Sequence, residues 1–150
     1  MNTCNSYFFL LLLLLSGCKS SDKQPAKSEN NIDAARNFIR SALDGKFDEA
    51  RKYMLADSTN INYMDVAERS YKNIDQLTKD GYRASNINMH LVDPVNDSTT
   101  IIIYSNSFKN DHDTLRIVKQ NDNWLVDFKY LYQHDATTVS QKPVLTDSMK

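Results

Sequence analysis

The chain has 150 residues, which is enough for one ordinary domain and too few for two full cores. With 41% hydrophobic and 25% charged residues, its composition is that of a soluble globular protein. The formal net charge of -1 provides no excess of positive charge for a phosphate backbone. The composition therefore argues against nucleic acid as a partner.

The first eighteen residues have the pattern of an export signal. An unbroken apolar run from Tyr7 to Leu15 is long enough for the core of a signal peptide and far shorter than the roughly 20 residues that span a bilayer. The run ends in Leu15-Ser16-Gly17-Cys18, which resembles the lipobox of bacterial lipoproteins. Residues 1–6 contain no Lys or Arg, so only the amino terminus supplies the positive charge expected there. The alternative is an ordinary secretory signal with a chance cysteine.

The lipobox resemblance implies that residues 1–17 are removed and that Cys18 is acylated. Two or more acyl chains give stable attachment, so the membrane becomes a partner through Cys18. The absence of Asp directly after Cys18 is similar to lipoproteins of the bacterial outer membrane. The remaining cysteine, Cys4, lies in the removed part, so the mature chain is expected to contain no free thiol for a disulfide, a zinc site or a nucleophile.

The polar segment 18–31 predicts a flexible, lipidated tether. From Ile32 the apolar spacing is helical, and the first helix is predicted to end at Asp44, before a left-handed stop at Gly45. A second helix is predicted over 47–55. A third is predicted from 61 to 79, with Gly81 closing it.

After Gly81 the apolar period changes to two, which is typical of strands. Strands are predicted over 86–92, 99–104, 114–119 and 124–132, and Asp93-Pro94 belongs to the first turn. Because the connections are short and polar, consecutive strands should pair antiparallel. The sequence thus predicts an α+β domain over 32–134, with N-terminal helices on one face of a curved sheet of about four strands and a polar tail over 135–150.

Three stretches resemble the nuclear-transport-factor-2-like superfamily, and in particular its small bacterial lipoproteins of unknown function. They are ARNFI at 35–39, LDGKFDEA at 43–50 and NWLVDF at 123–128. The resemblance covers roughly Ile32 to Leu131 and implies a cone-shaped roll with an opening between helices and sheet. These signatures place a helix, a turn and a final strand, and they carry no catalytic role.

Some members of that superfamily are isomerases or dehydratases that use an Asp base with a Tyr or Asp oxyanion donor. The candidates in this chain are Asp127 with Tyr63, Tyr71 or Tyr104. Strand alternation argues against Asp127 as the base, because its side chain points away from the bulky side chains that are expected to face the helices: Trp124, Val126, Phe128 and Tyr130. Asp127 is therefore predicted to be a solvated or hydrogen-bonded structural residue.

Signals for metals and cofactors are weak. The three histidines are 22 residues apart at each step and lack short ligand spacing: His90, His112 and His134. The triplet Asp111-His112-Asp113 is typical of a solvated turn. Only Gly45 and Gly81 follow the signal, so no Gly-rich phosphate cradle is present. No cofactor and no metal are expected.

The sequence predicts a non-enzymatic, lipid-anchored envelope protein that binds a small apolar or peptide-like ligand or an envelope protein. The candidate aromatic residues for lining its cleft are Tyr63, Tyr71, Tyr104, Trp124 and Phe128. The alternative is a small isomerase- or hydrolase-like enzyme in the same cleft. The sequence leaves monomer and homodimer open.

Overall fold

The computed structural model describes residues 26–133. Four helices come first: α1 (Asn31–Leu43), α2 (Phe47–Arg51), α3 (Ser58–Asn73) and α4 (Gln76–Ala84). Four strands follow, and a short helix ends the described chain: β1 (Ile87–Asn96), β2 (Thr99–Asn106), β3 (Asp113–Gln120), β4 (Asn123–Asp127) and α5 (Tyr130–Gln133). The strands pair antiparallel in chain order and form an open sheet. The predicted α+β class and the four-stranded antiparallel sheet are confirmed.

Helix α1 packs on the inner face of the sheet. The side chain of Asn30 accepts a hydrogen bond from the backbone N–H of Asp33 and caps the first turn. The helix ends before Gly45, whose φ of 76° is the left-handed stop that the sequence predicted. Its buried face carries two alanines that allow close approach to the sheet, together with two large apolar side chains: Ala34, Ala35, Phe38 and Ile39.

The core lies between the helices and one face of the sheet. The inner face of β2, β3 and β4 contributes Ile102, Leu115, Ile117 and Val126, each fully buried. These residues meet across the sheet, because Ile102 pairs with Leu115 and Ile117 pairs with Val126. Burying each of these side chains contributes roughly 1.5 to 3 kcal/mol, so the core accounts for most of the favourable folding energy.

The prediction of one continuous third helix over 61–79 is wrong in its second half. The helix stops at Asn73, and Ile74 and Asp75 adopt extended backbone before α4 begins. The Asp75 side chain accepts a hydrogen bond from the N–H of Thr78 at 2.9 Å and so starts a new helix instead of continuing the old one. Gly81 consequently lies inside α4, where a β-carbon would lie 2.4 Å from the ring of Phe108. The glycine permits close packing and is not the predicted helix stop.

Two other predicted elements are too long. The second helix ends at Arg51, and β4 ends at Asp127, five residues before the predicted end at Tyr132. After α2 the chain runs beside β4, since Leu55 donates its N–H to the carbonyl of Val126 at 2.9 Å and Val126 donates to Tyr53 at 2.8 Å. This short segment covers the free edge of β4.

Strand β1 forms the opposite edge of the sheet. It runs through Pro94 to Asn96, whereas the sequence analysis placed a turn at Asp93-Pro94. The pairing with β2 shifts register between Met89 and Leu91 and again between Pro94 and Asn96. A proline is tolerated here because an edge strand leaves half of its N–H groups without a ladder partner.

The chain enters the domain at the end of the sheet where β4 begins. Ala26 donates its N–H to the carbonyl of Lys52 at 2.8 Å, and the Asn123 amide donates to the carbonyl of Ala26 at 2.9 Å. Ser28 is 4% exposed and donates its N–H to Asn123. Residues 26–30, predicted as tether, therefore pack on the folded domain.

Some predicted features lie outside the described residues. They are the signal at 1–17, the lipidation site Cys18, the histidine His134 and the tail at 135–150. Within the described part, none of the helices has the length and apolar character needed to cross a bilayer.

Candidate functional site

A cleft of about 370 Å³ opens between the helices and the end of the sheet where β2 ends and β3 begins. Its apolar floor comes from α1, α2 and α3 and consists of Ala42, Leu43, Phe47, Ala67 and Tyr71. Alanine at two of these positions leaves room where larger side chains would fill the space. The volume lies in the range of small-molecule pockets, about 300 to 1,000 Å³.

Tyr71 forms the aromatic wall of the cleft and is held from two sides. Its hydroxyl donates a hydrogen bond to the carbonyl of Leu43 at 3.3 Å, and its ring meets the ring of Phe47 at 5.4 Å. A β-carbon at Gly45 would lie 2.6 Å from the Tyr71 ring. Gly45 is therefore required both for its left-handed backbone and for the position of this wall.

The outer wall is built by α4 and the loop between β2 and β3. Tyr82 and Phe108 meet edge to face at 5.2 Å. The loop is held by Asn106, whose side-chain oxygen accepts hydrogen bonds from the backbone N–H groups of Phe108 at 3.2 Å and Lys109 at 2.9 Å. This arrangement places the ammonium-bearing side chain of Lys109 at the rim.

A carboxylate and a phenol lie side by side in the cleft. Asp113 pairs across the sheet with Tyr104, and both line the cleft. Burial, the negative charge of Asp113 and a hydrogen bond with that carboxylate raise the pKa of the Tyr104 phenol. The phenol therefore stays protonated and donates to Asp113. Burial and the same negative charge also raise the pKa of Tyr132.

The sequence analysis missed Asp113 as a site residue. The triplet Asp111-His112-Asp113 has the composition of a solvated turn, yet Asp113 is the first residue of β3 and faces the cleft. A sign of this role was present, because the register of a β2–β3 hairpin places Asp113 opposite Tyr104.

Of the five aromatic residues predicted to line a cleft, Tyr71 and Tyr104 line this one. Trp124 lies at the far end of the sheet, half-buried against the core and opposite Lys119. It shares the inner sheet face with Val126, as strand alternation predicted.

The other two aromatic residues lie outside the cleft as well. Tyr63 stacks on Tyr132 with ring centroids 4.6 Å apart, beside a separate surface pocket. Phe128 is 7% exposed and packs on Phe38 at 5.2 Å, so it is a core residue.

Asp127 is buried. Of the two predicted alternatives, a solvated or a hydrogen-bonded structural residue, the structure shows the second. It is 2% exposed and accepts hydrogen bonds from Arg116, from the Asn60 amide at 3.1 Å and from Lys129 at 3.1 Å. Burial alone would raise its pKa, but the hydrogen bonds from Arg116, Asn60 and Lys129 outweigh it and hold the pKa below its usual value. The carboxylate is fully engaged and does not line the cleft.

Two histidines that are far apart in sequence meet in the fold. The rings of His90 and His112 lie 4.2 Å apart, and His90 Nε2 is 2.8 Å from the hydroxyl of Ser105. Across residues 26–133, no group of three or more His, Cys, Asp or Glu side chains is arranged to hold a metal ion. The two imidazole planes are tilted by 31° to each other.

The cleft combines an apolar floor with polar and charged groups at its rim: Ser70, Asn106, Lys109, Asp111 and Asp113. Such a surface can bind a small molecule that has an apolar body and a polar end. Comparisons with protein-family models, with curated proteins and with solved structures gave no match to this chain.

Proposed function

We propose that this chain is a lipid-anchored cell-envelope protein, held in the bacterial outer membrane by acyl chains on Cys18. Its nuclear-transport-factor-2-like domain binds a small amphipathic ligand in the cleft. The lipobox-like Leu15-Ser16-Gly17-Cys18 supports the anchor. The order of helices followed by an antiparallel sheet supports the domain type.

The cleft is the observation that carries the binding proposal. Its floor is apolar and wide because Ala42 and Ala67 are small, and Tyr71 is fixed by its contacts to Leu43 and Gly45. A preformed wall lowers the entropic cost of binding. A ligand would place its apolar body on this floor and its polar end near Lys109 at the rim.

Filling the floor tests the binding proposal. The probe is the amphipathic dye 1-anilinonaphthalene-8-sulfonate, whose emission rises in an apolar site. In Ala42→Trp the indole would occupy the cleft, so we expect dye affinity to fall severalfold with an unchanged circular dichroism spectrum. The matched control is Ala84→Trp, since Ala84 is exposed and does not line the cleft. Equal dye affinity in both variants would contradict a binding site on this floor.

The pair Asp113 and Tyr104 supports an isomerase-like activity as a second candidate. A carboxylate beside a phenol can act as base and oxyanion donor. In this structure, however, the hydrogen bond that helps to raise the pKa of the Tyr104 phenol is made with Asp113 itself, so the donor is already engaged. This internal pairing favours binding over catalysis.

An assay of proton transfer separates the two candidates. A cyclic β,γ-unsaturated ketone isomerises to a conjugated enone with a strong ultraviolet absorbance. The binding proposal predicts no turnover above that of a catalytically inert protein at the same concentration. Turnover that is lost in Asp113→Asn and retained in the rim variant Asp111→Asn would instead establish the enzyme.

A further inference from the structure

We infer that the cleft opens away from the anchoring membrane and takes its ligand from the aqueous phase, not from the bilayer. This inference rests on the proposed anchor at Cys18 and the proposed binding cleft. It comes from where the chain enters the fold and where the cleft lies.

The chain enters at one end of the sheet. Ala26 is bonded to Lys52 and to Asn123, the first residue of β4. A little further along, the side chain of Asn31 donates to the hydroxyl of Thr100 at 2.7 Å, near the start of β2. The last described residues before the anchor are thus fixed to this end, which we call the anchor end.

The cleft lies at the opposite end. It is lined by Leu43 at the finish of α1 and by Asn106 at the finish of β2. The 13 residues of α1 measure about 20 Å, and the eight residues of β2 measure about 25 Å. Both elements run from the anchor end to the cleft, so the two ends are separated by most of the length of the domain.

The tether leaves little spare length to compensate for this separation. Only residues 19–25 lie between Cys18 and Ala26, because residues 26–30 pack on the domain. Eight residue-to-residue steps span at most about 28 Å. Turning the cleft onto the bilayer would require Ala26 to stand about 20 Å or more above it, roughly the length of α1, which takes up most of the maximal length of the tether.

The charged rim fits an aqueous route. Lys109 and Asp111 are exposed at the mouth of the cleft. A mouth that received lipids from the bilayer would have to desolvate both groups, which is costly without partners. At the far end from the membrane both remain hydrated, and a water-soluble amphipath reaches the floor past them.

Single-cysteine labels on the full, acylated chain test the orientation. The mature chain would have no other free thiol, so a dye can be placed at Asp97→Cys or at Lys109→Cys. Asp97 is exposed in the β1–β2 turn at the anchor end, and Lys109 is exposed at the mouth. Energy transfer is measured to acceptor-labelled lipids in phosphatidylglycerol and phosphatidylethanolamine vesicles.

We expect severalfold stronger transfer from position 97 than from position 109. Iodide should quench the label at 109 equally on vesicles and on a soluble, non-acylated form that begins at residue 19, whereas position 97 should be protected on vesicles. Equal transfer from both positions, or stronger transfer from 109, would overturn the orientation. Inserting a long Gly-Ser segment between residues 25 and 26 should remove the difference, and a difference that persists would refute the tether as its cause.

The outcomes separate this inference from the proposals beneath it. If the acylated chain does not bind vesicles, or if the non-acylated form that begins at residue 19 binds them equally, the anchor fails. If the dye assay on Ala42→Trp shows no cleft binding, the ligand proposal fails, while the label geometry still decides the orientation.

Discussion

Asp127 should be the most sensitive charged residue in the domain. Its carboxylate is 2% exposed and joins three elements, since it accepts from Arg116 on β3, Asn60 on α3 and Lys129 after β4. The change to test is Asp127→Ala, which leaves these donors facing a buried gap. Breaking a buried ion pair by removing one partner costs about 3 to 5 kcal/mol.

The structure places the expected cost at the lower end of that range. Lys129 keeps a second acceptor in Asp57 at 3.0 Å, and the Asn60 amide keeps Asp57 at 2.6 Å. The Arg116 side chain is 36% exposed and lies 4.9 Å from the centre of the Tyr130 ring, so water and the ring partly replace the lost carboxylate. We therefore expect the free energy of unfolding to fall by about 3 kcal/mol.

Urea unfolding followed by circular dichroism measures this cost. The matched control is Asp48→Ala, because the Asp48 side chain is fully exposed and its ion pair with Arg51 at 3.4 Å lies on the surface. That control should change stability by less than about 0.5 kcal/mol. A loss in Asp127→Ala of under about 1 kcal/mol would refute the view that the buried carboxylate joins α3, β3 and β4.

Four further predictions concern Asp57, Gly45, Trp124 and Cys18. Burial alone would raise the pKa of Asp57, but the hydrogen bonds from Asn60 and Lys129 outweigh this effect and lower the pKa to about 2. A carboxylate with a lowered folded-state pKa stabilises the fold fully only above its unfolded-state pKa of about 4, and this stabilisation is lost as the pH falls towards the folded-state pKa. The urea midpoint should therefore be constant above about pH 4 and fall towards pH 2. An unchanged midpoint between these two pH values would contradict the prediction. Gly45→Ala should cost more than about 1 kcal/mol in the same assay, because φ is 76° and the new β-carbon meets Tyr71. Trp124, half-buried against the core, should have moderately blue-shifted emission, and Trp124→Ala should cost less than the roughly 3 to 5 kcal/mol of a fully buried aromatic; emission equal to that of the urea-unfolded chain would refute this packing. Cys18→Ala should accumulate as an uncleaved precursor, detected by intact mass, and an unmodified wild-type amino terminus would disprove acylation.

The parts of the fold that depend on local pattern were predictable. Helix α1 has both a regular apolar face and a left-handed glycine at its end, and each signal acts within a few residues. The four strands were predictable in number and order because short polar turns separate runs of alternating side chains. The helix break at Asp75 was missed, since an apolar period that continues from α3 into α4 conceals a side-chain cap.

The candidate site was less predictable because it depends on contacts between distant residues. Asp113 becomes a cleft residue only when β3 pairs with β2 and brings it beside Tyr104. Asp127 becomes buried only when the start of α3 brings Asn60 to the end of β4, 67 residues away in the chain. Neither contact has a short-range signature, so residue type and spacing favoured a solvated turn for Asp113 and left a solvated or a hydrogen-bonded structural role open for Asp127.

The two edges of the sheet bear on how the protein behaves when many copies share one surface. An acylated protein is concentrated in two dimensions, where exposed strand edges on neighbouring copies could join into a continuous sheet. The edge of β4 is already occupied by the backbone of Tyr53 and Leu55. The edge of β1 is interrupted by Pro94 and by two shifts of register, so it offers no regular ladder to another strand. Under the proposed acylation, crowded copies would meet two sheet edges that are poorly suited to strand pairing, and their clefts would stay accessible on separate molecules.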